Sequence, residues 1–327
     1  MRHRRLGKSG YEVSEVGFGA WQLGADWGTV DESTAMATLH AAADAGITFY
    51  DTADVYGDGR SERLVGRFLR ERADQRLVVA TKMCRRVPQE MASYTPEAFR
   101  GWLERSRENL GVERIPLVQL HCPLTAVYYT PEIFSALDEL VTDGLIAHYG
   151  VSVEKVEEGL IAIENPGVAS VQIIFNILRQ RPAERFLAAA AAADVGVIVR
   201  VPLASGLLTG KLAADSAFAA DDHRSYNRDG AAFDRGETFA GVPFEVGLRA
   251  VEELRPLVPP GTSMAQLALR WILMHRGVST TIPGAKTPEM ARANAAASGL
   301  PGLSPETMRA IQEIYRETAR PHVHTRW

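Results

Sequence analysis

The sequence has little cysteine, no long apolar run and no excess of positive charge. Its 327 residues include only two cysteines, Cys84 and Cys122, too few for a disulfide framework or a zinc site of several cysteines. No run of about 18 apolar residues occurs, so we expect no membrane-spanning helix and no membrane partner. The 36 Lys and Arg against 40 Asp and Glu give a net charge of −4, which argues against a nucleic-acid partner.

Targeting signals and common phosphate-binding motifs are also missing. The basic segment from Met1 to Arg5 is not followed by an apolar stretch, so it does not have the pattern of a signal peptide. No Gly-x-Gly-x-x-Gly turn follows a strand and opens a helix, and no P-loop is present. We therefore expect a cytoplasmic protein with reduced thiols and without a Rossmann-type nucleotide site.

Short β-branched segments alternate with longer helical ones along most of the chain. Apolar residues make up 46% of the sequence and charged residues 23%, which is ordinary for a globular core. The eight predicted strands are 16–18, 47–51, 77–82, 117–121, 146–152, 170–175, 196–200 and 278–282. Predicted helices lie near 31–45, 61–71, 95–110, 131–143, 153–163, 181–193, 263–275 and 288–298. Eight βα units predict an (α/β)8 TIM barrel, with a doubly wound sheet as the alternative.

Several segments lie outside this alternation. Residues 4–6 and 11–13 flank a glycine-containing turn and predict an N-terminal β-hairpin that covers the bottom of the barrel. Extra helices are predicted at 244–257 and 304–320. Residues 213–243 are polar and glycine-containing, which predicts a long loop near the active-site mouth. Since no linker interrupts the pattern, we expect one barrel domain over residues 1–327.

Four polar side chains follow the ends of three adjacent predicted strands. In a parallel barrel those ends meet at one rim, so Asp51, Tyr56, Lys82 and His121 are expected to converge. A phenol has a pKa of about 10, and a neighbouring ammonium group favours the phenolate and lowers that pKa. A carboxylate would keep the lysine charged, and a neutral imidazole could donate a hydrogen bond to a substrate oxygen. The set therefore suits protonation of a carbonyl oxygen as it becomes an alkoxide.

Each of these residues also has a structural interpretation. Asp51 and Lys82 could form a buried ion pair that only stabilises the barrel. His121 could be a hydrogen-bonded core histidine, and Tyr56 an aromatic residue of a loop. Trp21, Trp27, Tyr128 and Tyr129 could line a substrate pocket or only cover the barrel mouth. His223 and Arg224, in the long loop, could close over a ligand or face solvent.

The order and spacing of several motifs resemble the aldo-keto reductase family over essentially the whole chain. The matching segments are Gly17-Phe18-Gly19-Ala20-Trp21, Phe49-Tyr50-Asp51-Thr52-Ala53 with Tyr56-Gly57, Ser61-Glu62, Ala80-Thr81-Lys82, Gln119-Leu120-His121, Tyr149-Gly150-Val151-Ser152, Pro202-Leu203 through Lys211, and Ile282-Pro283-Gly284-Ala285. The resemblance implies reversible reduction of an aldehyde or ketone by hydride transfer from NADPH. It implies that Tyr56 is the proton donor, that Asp51 and Lys82 tune it, and that His121 orients the carbonyl.

The resemblance also implies which residues bind NADP(H). Ser152 and Gln172 match positions that hold the nicotinamide carboxamide, and Lys286 would supply a positive charge near a 2′-phosphate. The other implied cofactor contacts are Gly19, Ala20, Trp21, Arg200, Pro202, Leu203, Gly206, Lys211, Gly284 and Asn294. This sequence departs from the family pattern at Val153, Met290 and Ala293, and at Arg200, where an aromatic residue commonly stacks on the nicotinamide. No metal is implied.

Two other functions remain open at this point. The chain is also similar to the cytoplasmic β-subunits of potassium channels, which implies an NADP(H)-binding, redox-sensing regulator with slow turnover. A metal-dependent barrel enzyme would have only His121, Asp51 and Glu62 as ligands at strand ends. A small-molecule carbonyl substrate is expected, but a sugar, a sugar-like ketone, an aromatic aldehyde and a quinone all fit the sequence. The oligomeric state and any redox role of Cys84 or Cys122 also stay open.

Overall fold

A computed structural model of the chain describes residues 1–24, 27–28 and 30–327. Its strands are β1 His3–Arg5, β2 Glu12–Ser14, β3 Phe18–Gly19, β4 Phe49–Asp51, β5 Val78–Met83, β6 Ile115–His121, β7 Ile146–Ser152, β8 Val168–Ile174, β9 Gly196–Arg200 and β10 Thr280–Thr281. Its α-helices are α1 Trp21–Gly24, α2 Glu32–Asp44, α3 Arg60–Glu71, α4 Pro96–Leu110, α5 Pro131–Thr142, α6 Val156–Ala162, α7 Phe186–Ala192, α8 His223–Tyr226, α9 Phe244–Leu254, α10 Met264–Leu273, α11 Pro288–Ala296, α12 Pro305–Glu317 and α13 Arg320–Val323. None of these helices is long and apolar enough to cross a membrane.

The strands from β3 to β10 form one parallel sheet in sequence order, and the sheet closes on itself. Isolated parallel bridges join Val16 to Thr281 and Gly19 to Gly284, which connects the first strand to the last. The Gly17 amide also donates to the Thr281 carbonyl at 2.8 Å. The predicted (α/β)8 TIM barrel is therefore confirmed, and the doubly wound alternative is wrong.

The N-terminal hairpin closes the bottom of the barrel, as predicted. Strands β1 and β2 pair antiparallel with His3 opposite Ser14 and Arg5 opposite Glu12. The fully buried side chains of Leu6 and Val13 pack against residues that point into the barrel. Those interior residues are Phe49, Val78, Ala80, Leu117, Ile198 and Ile282. The lower half of the barrel interior is thus apolar and plugged.

Helix starts follow the local sequence signals closely. The Asp31, Thr95 and Thr287 side chains each accept a hydrogen bond from a backbone amide three residues further on. In α4 and α11 a proline takes the first helical position, where its missing N–H costs nothing. These caps fix where each helix leaves its preceding strand.

Several predicted helices are shorter than the sequence pattern indicated, and three of them have an identifiable local cause. The segment 181–193 divides into a 3-10 turn at Arg181–Ala183 and α7, because Arg185 has a φ of −140°. The segment 304–320 ends as α12 at Glu317, and Pro321 lies in the separate short helix α13. Helix α9 ends at Leu254, just before a 3-10 turn that contains Pro256. Proline lacks the amide that a continuing helix needs.

Candidate active site

The upper half of the barrel interior is polar where the lower half is apolar. Side chains alternate along a strand, so residues two positions after the apolar plug face the same interior. Asp51 lies two residues after Phe49, and Lys82 lies two residues after Ala80, so both are on the inner side of their strands. Gln119 and His121 lie two and four residues after Leu117, and Arg200 lies two residues after Ile198. The strand period therefore brings this polar set together at the carboxyl ends of the strands, where barrels carry their active sites.

Tyr56 reaches this rim from the turn between β4 and α3. The turn passes so close to α1 that a Cβ atom on Gly57 would lie 2.2 Å from the Gly24 carbonyl oxygen. Gly57 also has a φ of +59°, which glycine adopts without strain. These two constraints set the direction in which Tyr56 leaves the turn.

Lys82 is the centre of the site. Its Nζ atom donates to the Asp51 carboxylate, to the Thr52 carbonyl oxygen at 2.8 Å and to the Tyr56 hydroxyl oxygen at 3.4 Å. An ammonium group has three protons, and each of them has an acceptor here. Because Tyr56 accepts this hydrogen bond, its own phenolic proton remains available to another oxygen.

The Asp51 carboxylate is held from its other side by two amides. Gln119 donates to Asp51 Oδ2 at 3.1 Å, and Gln172 donates to the same oxygen at 2.8 Å. Gln172 also donates to the Gln119 side-chain oxygen at 3.2 Å. In this structure the Gln172 amide nitrogen therefore bonds to Asp51. Gln172 is one of the two residues that the family resemblance assigns to the nicotinamide carboxamide.

Burial and neighbouring charges shift three pKa values in the site. Burial raises the pKa of Tyr56, and this outweighs the lowering effect of Lys82. The neighbouring Lys82 ammonium thus lowers the Tyr56 pKa as expected, but burial of the phenol has the larger effect. Burial opposes the charge on Lys82, but the Asp51 carboxylate raises the Lys82 pKa above its usual value. Burial, followed by Arg85 and Lys82, lowers the pKa of His121 well below the usual value and keeps the imidazole neutral.

The His121 imidazole lies edge-on to the phenol ring of Tyr56. Their ring centroids are 5.9 Å apart, with an interplanar angle of 85°. Among the described residues, the buried Nδ1 atom of His121 has no hydrogen-bond partner. A neutral imidazole with a free nitrogen next to a phenol can direct a carbonyl oxygen toward that phenol.

Aromatic rings cover the site from the side of the long loop. Trp21 stacks on Tyr56 at 6.0 Å with an interplanar angle of 19°. His223 is fully buried and packs against Trp21 at 4.8 Å and Trp27 at 4.3 Å, so the interpretation of His223 as a solvent-facing residue is wrong. Phe233 lies 5.9 Å from Trp21. Part of the segment 213–243 thus lies over the barrel mouth.

A cavity of about 640 Å³ opens above Tyr56 and His121. It is lined by Trp21, Val55, Tyr56, Arg85, Val87, Pro88, Gln89, His121, Cys122, Pro123, Leu124, Glu154, Tyr226, Ala232, Phe233, Asp234 and Glu237. Trp21 is therefore a pocket residue. Tyr128 and Tyr129 are not in the lining: Tyr128 is buried, and Tyr129 is 68% exposed.

The cavity has a charged wall that sequence reasoning missed, formed by Arg85, Glu154, Glu237 and Arg200. Arg85 contacts Glu237 at 2.8 Å and Glu154 at 3.4 Å, and Arg200 contacts Glu154 at 3.0 Å and Glu237 at 3.6 Å. Burial raises the pKa of Glu154, whereas Arg85 and Arg200 hold the pKa of Glu237 below its usual value despite its burial. Arg85 and Glu154 follow strand ends and could have been suspected, but Glu237 lies in the long loop.

Two carboxylates of this wall and the neighbouring Cys122 are potential metal ligands. One ligand atom each of Cys122, Glu154 and Glu237 lies within 4.8 Å of the other two. Arg85 and Arg200 already pair with both carboxylates, and Arg200 also lies 3.5 Å from the Cys122 sulfur. Two guanidinium groups in contact with the trio disfavour a divalent cation there.

The implied cofactor residues lie on one side of the same rim. Ser152, Gln172 and Arg200 are buried at or near the ends of β7, β8 and β9. Pro202, Leu203 and Gly206 lie in the turn after β9, and Lys211 is exposed just beyond it. Gly19 pairs with Gly284, Ala20 is buried next to them, and Asn294 of α11 donates to the Gly284 carbonyl at 3.1 Å.

Lys286 and Arg224 form a half-buried positive pair on this side. Lys286 donates to the Trp27 carbonyl, and the Arg224 guanidinium lies 4.9 Å above the Trp27 ring. Burial, and then repulsion from Arg224, lowers the pKa of Lys286. Among the described residues no carboxylate forms an ion pair with Lys286, whereas Arg224 is paired with Asp222 at 2.6 Å. Two cations that repel each other would both be stabilised by a phosphate, so these residues fit a phosphorylated cofactor.

Comparison with known proteins identifies the family. The sequence profile of the Aldo/keto reductase family matches residues 15–316. The chain belongs to the aldo/keto reductase family, and the resemblance drawn from its motifs is confirmed. The predicted class of protein, an oxidoreductase, is confirmed with it.

Two relatives cover nearly the whole chain. The aldo-keto reductase YhdN of Bacillus subtilis is 30% identical over 97% of this chain and 95% of its own length. A protein of rice, Oryza sativa subsp. japonica, described as a probable voltage-gated potassium channel subunit beta, is 29% identical over 96% of each chain. The family thus includes both descriptions that the sequence left open.

Solved structures agree with the barrel. A glycerol dehydrogenase from Gluconobacter oxydans superposes with a TM-score of 0.78, at 31% identity over 98% of this chain and 96% of that one. An aldo/keto reductase from Klebsiella pneumoniae, solved in complex with NADP and acetate, has a TM-score of 0.71 at 22% identity, over 96% of each chain. At 22% identity, the similarity to the Klebsiella pneumoniae structure supports the fold alone.

Proposed function

We propose that this protein reversibly reduces an aldehyde or ketone to an alcohol with NADPH, and that Tyr56 is the proton donor. The observation that carries the proposal is the chain of contacts from Asp51 through Lys82 to the Tyr56 hydroxyl, next to a neutral His121. A buried ion pair alone would have only a structural role. Here the lysine also donates to a phenol that opens into a cavity, which is the arrangement of a general acid.

The proposed roles follow from hydrogen-bond geometry. A carbonyl oxygen between Tyr56 and His121 would accept a hydrogen bond from each of them. The nicotinamide cofactor, when bound, supplies the hydride that adds to the carbonyl carbon. Tyr56 gives its phenolic proton to the oxygen, so the C=O bond becomes CH–OH and a phenolate remains on the protein. Charged Lys82 stabilises that phenolate, and Asp51 keeps Lys82 charged and in position.

We propose that NADP(H) is held along the rim by the residues that the family resemblance implies. Ser152, Gln172 and Arg200 would contact the nicotinamide end, and the turn from Pro202 to Lys211 the pyrophosphate. Gly284, Lys286 and Asn294 would hold the adenosine end, with Lys286 on the 2′-phosphate. The half-buried Lys286–Arg224 pair supports a phosphorylated cofactor over NADH. We also propose one domain over residues 1–327 and a cytoplasmic location, which the two free thiols support.

The variant Tyr56→Phe tests the proposed proton donor. Removing the hydroxyl should lower kcat for a simple probe aldehyde by roughly 10²–10⁴-fold, the usual contribution of a general acid. The Kd of NADPH should stay close to that of the wild type, since the ring remains in place. Tyr129→Phe is the matched control, because Tyr129 is 68% exposed and outside the cavity. Near wild-type turnover by Tyr56→Phe would show that Tyr56 is not the proton donor.

A second candidate function is a redox-sensing subunit with slow turnover. It is favoured by the 29% identity to the rice protein described as a probable potassium channel subunit beta. Under this alternative NADPH would bind tightly, but no aldehyde would give multiple turnovers that depend on Tyr56. Single-turnover and steady-state rates measured on the same preparation separate the two candidates.

A further inference from the structure

The charged wall limits what the cavity can accept as substrate. Three of its four residues, Arg85, Glu154 and Glu237, line the cavity, and Arg200 pairs with both carboxylates. We infer that the substrate is a carbonyl compound that carries hydroxyl groups, such as a hydroxyaldehyde or a short sugar. This inference rests on the proposed function and names the substrate class of that same site.

The wall has hydrogen-bonding capacity that its own ion pairs do not use. Arg85 bonds Glu154 and Glu237 through Nη2 alone, so its Nε and Nη1 atoms have no acceptor among the described residues. The Gln89 side-chain oxygen accepts a hydrogen bond from the Tyr94 hydroxyl. The buried Gln89 Nε2 atom has no hydrogen-bond partner among the residues that the structure describes. On the acceptor side, Glu154 and Glu237 are hydrogen-bonded to each other, and each of their oxygens also has one guanidinium contact. A carboxylate oxygen can accept two hydrogen bonds, so the pair retains acceptor capacity. This side of the cavity therefore carries both donors and acceptors.

An apolar substrate would fit this wall poorly. Filling the cavity with hydrocarbon would remove water from the guanidinium, amide and carboxylate groups without replacing its hydrogen bonds. Each buried polar group left without a partner costs about 1–3 kcal/mol. An aromatic aldehyde and a quinone, both compatible with the sequence, are disfavoured for this reason.

An anionic substrate is also disfavoured, although Arg85 faces the cavity. The carboxylates of Glu154 and Glu237 lie within 3.4 Å and 2.8 Å of the Arg85 Nη2 atom, so an added carboxylate would approach two others. Like charges at such separations repel strongly away from bulk water. A hydroxyl group avoids this conflict, because it donates to a carboxylate and accepts from a guanidinium or amide N–H.

The remaining walls suit the carbon side of a hydroxylated chain. Trp21 and Phe233 line the cavity with rings 5.9 Å apart, and Val55 and Leu124 add aliphatic surface. A short sugar has C–H groups for such surfaces and hydroxyls for the opposite wall. The cavity volume of about 640 Å³ is also in the range of small-molecule sites.

The test compares three aldehydes with the same enzyme and NADPH. Glyceraldehyde carries two hydroxyls, propanal has the same carbon chain without them, and 4-oxobutanoate carries a carboxylate. Wild-type kcat/KM should be at least about 100-fold higher for glyceraldehyde than for propanal, because sites built to bind a hydroxyl reject analogues that lack it. Equal values would overturn the inference, and a preference for 4-oxobutanoate would show an anion site instead.

Two variants connect the preference to the wall. Arg85→Met and Gln89→Leu should each lower the glyceraldehyde-to-propanal ratio by about tenfold, the loss expected for one or two hydrogen bonds. Gln89→Leu leaves no unpaired charge, so it keeps the test valid if Arg85→Met folds poorly. Arg86→Met is the matched control, because Arg86 pairs with Asp58 at 2.7 Å and does not line the cavity. An unchanged ratio in both wall variants would overturn the assignment of the wall.

Failure of the inference differs from failure of the proposed function. If all three aldehydes are reduced in a Tyr56-dependent way without preference, the reaction stands and the substrate class is wrong. If none of them is reduced while NADPH binds, the proposed function fails, and the substrate class fails with it.

Discussion

Lys82 is a buried lysine that stays charged because three oxygens surround its ammonium group. Only 1% of its side chain is exposed, and the Asp51 carboxylate outweighs the cost of burial. A buried pair of this kind contributes little to stability on average. Its position below the Tyr56 hydroxyl instead suggests that it serves the phenolate formed during the reaction.

Asp54 is a second buried carboxyl group, and none of the described residues forms an ion pair with it. It is 1% exposed, and among the described residues neither of its carboxyl oxygens has a hydrogen-bond partner. Burial, and then repulsion from Glu62, raises the pKa of Asp54 to about 7. The folded protein therefore binds a proton on Asp54 at pH values where the unfolded chain, with a pKa of about 3.9, has lost it. The contribution of Asp54 to the free energy of unfolding therefore falls as the pH rises from about 4 to 7.

Replacing Asp54 with asparagine should remove this pH-dependent loss. The introduced amide is neutral at every pH, so Asp54→Asn should be more stable than the wild type at pH 8 by roughly 1–4 kcal/mol and similar to it near pH 4. Urea unfolding at several pH values measures the difference. Asp58→Asn is the control, because the pKa of the exposed Asp58 is lowered by Arg105 and Arg86, and its loss should give no gain at pH 8. A less stable Asp54→Asn protein at pH 8 would contradict the argument.

At the scale of elements, one 3-10 turn carries part of the cavity wall and depends on a distant tryptophan. The turn Arg235–Glu237 starts at Asp234, whose Oδ1 accepts from the Gly236 amide at 2.6 Å and from the Trp327 Nε1–H at 2.8 Å. The Trp327 ring also lies 4.5 Å from the Arg179 guanidinium, which donates to the Glu154 carbonyl at 2.7 Å. Trp327 thus supports the backbone next to both wall carboxylates without lining the cavity.

Trp327 should therefore act as a positioning residue for the substrate. Trp327→Phe keeps the ring packing but removes the hydrogen bond to Asp234, a loss of roughly 1 kcal/mol. We expect KM for the carbonyl substrate to rise several-fold while kcat and the Kd of NADPH change little. Trp327→Ala should also lose about 3–5 kcal/mol of unfolding free energy, because it leaves a cavity. A purely structural role would instead lower stability in both variants and leave KM unchanged.

The sequence predicts a feature well when neighbouring residues determine it, and poorly when residues distant in sequence determine it. Strand ends alone predicted that Asp51, Lys82 and His121 converge at one rim, because the carboxyl ends of parallel strands in a barrel share that rim. The structure brings Lys82 into contact with Asp51 and Tyr56, and His121 next to Tyr56. The strand predicted at 278–282 is present, but only the two residues of β10 are paired as a strand. Its shortness and the break at Arg185 were not predicted, since each depends on neighbours distant in sequence. The meeting of Glu237 with Glu154 and Arg85 was missed for the same reason: its turn is positioned by contacts with Trp327 and Arg179.

At the scale of the whole molecule, the barrel separates stability from chemistry. The hairpin and the apolar interior layer close one end, and every residue that we assign to substrate or cofactor lies at the other end. The polar rim can therefore vary without loss of the core. This separation accounts for a fold that persists at 31% identity in a structure described as a glycerol dehydrogenase.

The cofactor preference is a property of the whole rim and can be measured by titration. Trp21 and Trp27 lie 5.5 Å apart next to Tyr56 and Lys286, so bound cofactor should quench tryptophan fluorescence. We expect NADPH to bind more tightly than NADH, because the 2′-phosphate would meet the Lys286–Arg224 pair. Lys286→Met should raise the Kd of NADPH by about tenfold, the loss of one charge-assisted contact, and leave the Kd of NADH nearly unchanged.

Lys211→Met is the matched control for this titration, because Lys211 is assigned to the pyrophosphate that both cofactors share. It should weaken NADPH and NADH by the same factor. Tighter binding of NADH by the wild type would reverse the cofactor assignment and keep the catalytic one. Binding of neither cofactor by the folded protein would mean that Val153, Met290 and Ala293, the departures from the family pattern, have removed essential contacts. The proposed reductase function would then be wrong, although the barrel and the arrangement around Lys82 would remain.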